Sequence, residues 1–120
     1  MSAKTNTIDQ PTAVAWTTAY RGRVPTGSVR AFLIPVSDLL QVASEVIEKG
    51  DQGNPMVRAY LAYDASKNED KLVIVGTNED DSTLPSTYYD MLPSANPTYS
   101  IWDFTLPCPT YCDDNSPLNQ

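Results

Sequence analysis

Histidine is absent from the sequence. With it go the commonest general base, the usual metal ligand, every Ser-His-Asp or Cys-His arrangement, and the side chain that changes charge near neutral pH. Cysteine occurs only at Cys108 and Cys112, too few for a disulfide-rich scaffold. No run of about 18 apolar residues is present, so no membrane-spanning helix is expected. The polar stretch over residues 1–9 lacks the apolar centre of a secretory signal. A cytoplasmic protein without a membrane partner is the expectation. Glycine is sparse, and neither a Gly-rich phosphate loop nor a nucleophile elbow is found.

Positive charge is also scarce. Eight basic residues stand against 15 acidic ones, for a net charge of −7. The balance is uneven: Lys4, Arg21, Arg23 and Arg30 face only Asp9 within residues 1–37, and the rest of the chain is strongly acidic. Nucleic-acid binding needs clustered Lys and Arg, so no nucleic-acid partner is expected. The segment Arg21–Arg30 offers a small anion patch, or more simply a polar loop whose arginines pair with the acidic body.

What is present fits one globular domain. The 120 residues match a common domain size, and 41% are hydrophobic. Asp9 and Pro11 suit a helix start, and Ala13, Trp16, Ala19 and Tyr20 follow at helical spacing. A short strand is expected over residues 30–34. A second helix then runs over 37–49, with an apolar stripe of Leu39, Leu40, Ala43, Val46 and Ile47 and with Gly50 at its end. Residues 56–63 and 71–77 read as strands joined in an antiparallel hairpin, the second of them central because Leu72–Val75 is apolar on both faces. Residues 78–98 carry three prolines yet many large apolar groups, so part should pack, with one helical turn near 87–92. A last strand is expected over 99–104, and residues 107–120 read as an irregular Pro-rich tail.

Five segments occur in a distinctive order: Ile34-Pro35-Val36-Ser37-Asp38, Val57-Arg58-Ala59-Tyr60, Leu72-Val73-Ile74-Val75-Gly76, Trp102-Asp103-Phe104, and Cys108-Pro109-Thr110-Tyr111-Cys112. In this order they resemble a group of small uncharacterised bacterial proteins of similar length. The resemblance covers residues 8–118. It implies a layout of elements and assigns no activity.

Three groups of residues carry candidate chemistry. Cys108 and Cys112 could form a redox pair or half a metal site, or simply sit in a Pro-fixed tail as two half-buried thiols or one incidental disulfide. Two thiolates fall short of the four ligands that zinc takes, so no metal or cofactor is expected. Arg58 and Tyr60 share a strand face, where Arg58 would bind an anionic ligand group or pair with a carboxylate, with Asp38 and Asp103 as candidates. Trp102 belongs to a cluster of late aromatics suited either to packing or to binding carbohydrate or protein. The acidic runs Glu79-Asp80-Asp81 and Asp113-Asp114 lack calcium-loop spacing and read as solvated charge.

The resulting expectation is an α+β two-layer domain. Two helices cover an antiparallel sheet of about four strands, with a core over 8–106 and a tail over 107–120. Function is expected to be non-catalytic, as a module that binds a protein partner or a second copy of itself. The alternatives are a small-ligand or carbohydrate site at Arg58, Tyr60 and Trp102, and a thiol redox protein using Cys108 and Cys112.

Overall fold

The computed structural model describes residues 5–50 and 53–120. The α+β class is as expected. Among the described residues two helices, α1 (Gln10–Arg21) and α2 (Val36–Lys49), accompany five strands: β1 (Ala31–Leu33), β2 (Met56–Asp64), β3 (Glu69–Asp80), β4 (Thr87–Asp90) and β5 (Leu106–Cys108). The strands fall into two sheets rather than one, a three-stranded β2-β3-β4 and a two-stranded β1-β5. The chain divides into two compact units, one formed by residues up to Ala31 together with Pro107–Gln120, the other by Phe32–Leu106. Among the described residues no helix is long and apolar enough to cross a membrane.

The larger unit has two layers, with α2 packed on β3 and β2. Antiparallel pairing runs from Met56↔Thr77 to Asp64↔Glu69, and the turn is closed by Asp64, which accepts from the Ser66 backbone N–H (3.0 Å) and hydroxyl (2.6 Å). Asn68 sits in the left-handed region at φ 51°, a conformation asparagine tolerates. β3 is the central strand, as its doubly apolar sequence predicts, and Ile74, Val75, Gly76 and Thr77 are all buried.

On the far side of β3 the structure departs from expectation. Residues 87–90 form a strand instead of a helical turn, paired with β3 from Thr77↔Asp90 to Asp80↔Thr87. Thr and Tyr are strand formers, which favours this outcome. The chain then leaves the sheet after Met91, whose N–H still reaches the Gly76 carbonyl at 2.9 Å. It returns only at Trp102, which exchanges both backbone bonds with Ile74 (2.9 and 3.0 Å). The strand expected over 99–104 is therefore this one bridge. Thr105 continues the line with its side chain, accepting from the Leu72 N–H at 3.0 Å while almost fully buried.

The core of this unit lies between α2 and the sheet. Val42, Val46, Ile74 and Met91 are buried there, whereas Val75 is buried on the other face of β3, opposite Arg58. The buried face of α2 is rotated from the predicted stripe: Val42, Glu45 and Val46 are covered, whereas Leu40 and Ile47 are exposed. Glu45 is held by accepting from the Ser100 N–H at 3.0 Å, and Lys49 donates to the Thr98 carbonyl at 3.1 Å, so the returning chain is pinned to the end of α2. Gly50 ends the helix with extended dihedrals rather than left-handed ones. Glycine suits it because a Cβ there would overlap the Val46 carbonyl oxygen.

In the smaller unit, Asp9 caps α1 by accepting from the Thr12 N–H at 2.8 Å, and the Thr12 side chain, together with that N–H, holds the Asp9 carboxyl below its ordinary range. The expected stripe is not covered: α1 buries no residue, and Trp16 and Tyr20 are exposed. The tail starts as a strand, with Pro107 and Cys108 buried, before it becomes irregular. Arg21 donates to the backbone oxygens of Leu118 and Gln120, and Arg30 to the Asn119 side-chain oxygen. These two arginines therefore fasten the tail within the smaller unit.

Candidate interaction surface

Alternation along the strands assigns each candidate residue to a face. Val57, Ala59, Leu61 and Tyr63 lie on the same side as Gly76, whose Cα faces Val46 of α2. Met56, Arg58, Tyr60 and Ala62 lie on the opposite side, with Lys71 and Asp90.

That opposite side carries a network of charges. Arg58 Nη1 donates to Asp90 Oδ1 at 2.5 Å and to the Tyr88 carbonyl at 3.0 Å. The Tyr60 hydroxyl donates to the other Asp90 oxygen. Lys71 bridges Asp103 (3.0 Å) and Asp64 (3.9 Å). Arg58 is thus paired, and its partner is Asp90 rather than Asp38 or Asp103. The pairing depends on the β4 register, which no local motif announces. The bond to Asp90 raises the Arg58 pKa, and the bond from Lys71 to Asp103 raises that of Lys71. Ser66 lowers Asp64, and the Asn54 N–H, which donates to Glu79 at 2.8 Å, lowers Glu79.

Tyr60 provides a test of this network. Donation to Asp90 stabilises the neutral phenol and pushes its pKa above the ordinary value. A raised native pKa adds stability below the ordinary value, about 10, and that stability is lost as the pH rises through the native one. The ultraviolet titration signal missing from Tyr60→Phe should therefore fall above about pH 10. Asp90→Asn should move it down. A Tyr60 titration at the ordinary position would exclude the Asp90 contact.

Trp102 is not brought together with Arg58 and Tyr60. Its bridge to Ile74 sets it on the α2 side of the sheet, edge-on to Phe104 with ring centroids 6.3 Å apart. Cys108 and Cys112 are joined as a disulfide with Cα atoms 4.8 Å apart, and Cys108 is buried in the smaller unit. Glu79 and Asp80 belong to β3, and Asp80 accepts from the Ser82 N–H and hydroxyl. Among the described residues no three His, Cys, Asp or Glu side chains converge as metal ligands do.

The α2 side holds the feature that the sequence reading missed. Beside its buried ridge, α2 carries a second apolar stripe, Val36, Leu40, Ala43 and Ile47, at intervals of four, three and four residues. Leu40 is 64% exposed and Ile47 67%. Next to it runs β2, whose Leu61 is 85% exposed. An open groove of about 480 Å³ lies between them, lined by Ala43, Val46, Ile47, Pro55, Met56 and Val57. Both stripes are visible in the sequence as i, i+3, i+7 patterns, but nothing local shows which of them faces the sheet. Comparison with family models, curated proteins and solved structures gives no match for this chain.

Proposed function

We propose that this chain is a non-catalytic protein-interaction module that docks through the apolar strip of α2 and β2. The observation that carries this reading is the open groove where Ala43 and Ile47 of α2 meet Val57 at the border of the sheet, on a helix that also leaves Val36 and Leu40 exposed. Contiguous apolar surface of this kind marks binding sites on soluble proteins. Full burial of a Leu or Ile side chain contributes about 1.5–3 kcal/mol, so covering three of them would support a specific complex.

The test uses wild-type protein and the double variant Leu40→Glu/Ile47→Glu as baits in extract of the native cell. Both positions are more than half exposed, so the fold should persist, as circular dichroism would verify. The expected result is a companion retained by the wild type and lost by the variant. Equal retention by both baits would overturn the reading, as would metabolite turnover by the purified protein.

A further inference from the structure

β2 is an edge strand, ordered β2-β3-β4, and among the described residues nothing pairs with its outer side. The directions of its backbone groups follow from β3. Ile74 exchanges both bonds with Trp102, and the Gly76 carbonyl receives Met91, so even-numbered β3 residues point away from β2. The odd-numbered Val73, Val75 and Thr77 point toward β2, where their partners are Tyr60, Arg58 and Met56. The remaining β2 residues, Val57, Ala59, Leu61 and Tyr63, therefore turn their N–H and C=O groups outward. Long apolar edges of this kind are templates for another strand.

We infer that the occupant of this edge is a second copy of the chain, paired through β2 antiparallel to β2 about a two-fold axis at Tyr60. This rests on the interaction reading above and names its partner. The edge is self-complementary. With Tyr60 opposite Tyr60, Val57 meets Tyr63 of the second copy and Ala59 meets Leu61, so every outward donor and acceptor is used. A shift of two residues leaves one of those four residues unpaired in each copy. A shift of one aims bonding residues at non-bonding ones.

Charge selects the same arrangement. Arg58 and Asp64 are the only charged residues of β2 and lie on one face. The antiparallel register sets Arg58 opposite Ala62 and diagonal to Asp64 of the second copy, within reach of a long side chain. Parallel pairing would instead set Arg58 against Arg58 and Asp64 against Asp64. On the other face, Tyr63 of the second copy arrives beside Val57, at the mouth of the groove lined by Ala43 and Ile47. Apolar surface left uncovered in one copy is thereby buried by both.

The experiment is sedimentation velocity on the full chain from about 1 to about 200 µM, the range that brackets a micromolar complex, with three variants. Wild type should form a reversible dimer. Ala59→Pro removes an outward N–H, a change that an edge strand tolerates, and should weaken dimerisation at least about tenfold. Leu61→Lys, at a site too exposed to affect folding, should do the same. Tyr60→Cys should give a covalent dimer on mild oxidation, because the two-fold makes it a close non-hydrogen-bonded pair, whereas Tyr63→Cys should not. A wild type that stays monomeric throughout overturns the inference, as does a dimer indifferent to Ala59→Pro and Leu61→Lys. Faster cross-linking at position 63 than at 60 overturns the register. A monomer that still retains a companion through Leu40 and Ile47 sinks self-pairing alone; a monomer with no such companion sinks the interaction reading as well.

Discussion

Met91→Ala is expected to lower stability by about 2–5 kcal/mol, the range for truncating a fully buried long side chain. Met91 is 0% exposed and sits just past the end of β4, tied to the Gly76 carbonyl by its own N–H. Its sulfur fills space that Gly76 leaves open beneath Val46. Removal leaves a cavity at the meeting point of α2, β3 and the departing chain. In a domain of this size the thermal midpoint should fall by roughly 8–20 °C. Met91→Leu, which keeps the volume, should cost less than about 1.5 kcal/mol. A Met91→Ala protein that melts within about 2 °C of wild type would show that this junction is not where the core holds.

Gly76→Ala should also be destabilising, by about 1–3 kcal/mol, but through excess volume. A Cβ there would overlap Val46 Cγ2 and lie 2.8 Å from Met91 Sδ. Val46 is β-branched within a helix and has little rotameric freedom to yield. The glycine is therefore needed for the approach of α2 to β3 and not for any unusual dihedral. Val46→Ala alone should destabilise by leaving a void, and adding Gly76→Ala to it should cost much less than in the wild type. The coupling expected between contacting sites is about 0.5–3 kcal/mol, measured by denaturant titration of the four proteins. Strict additivity would mean that the two groups do not compete for the same space.

Local patterns carried much of the fold. The β2–β3 hairpin and the central position of β3 are written in the alternation of 56–63 and in the apolar run Leu72–Val75. The extent of α2 follows from Asp38, Lys49 and Gly50. Its rotation does not, because Leu39, Val42 and Val46 and Leu40, Ala43 and Ile47 are equally good stripes. Burying Glu45 looks unfavourable until the Ser100 N–H is known to reach it. β4 is hidden between Pro85 and Pro93, where Thr87–Asp90 reads as one helical turn within an irregular stretch. The strand expected at 99–104 shrank because the Thr105 hydroxyl takes the Leu72 N–H that a backbone carbonyl would otherwise receive. The partner of Arg58 was illegible for the same reason as β4: Asp90 is 32 residues away, and only the register of two strand pairs sets it opposite. The docking strip was visible as composition but not as surface, since exposure is decided by which stripe the sheet covers.

The departure of the chain between Met91 and Trp102 separates loop length from strand alignment. Each end of the excursion is fixed by its own bonds to β3, and its return is held to α2 through Ser100 and Thr98. Its outer part, Pro93 to Ala95, is exposed. Doubling a flexible loop costs only about 0.6 kcal/mol in closure entropy. Extra residues grafted there would be accommodated without sliding any ladder, which makes this stretch the natural place for the molecule to acquire a tag, an epitope or a new appendage.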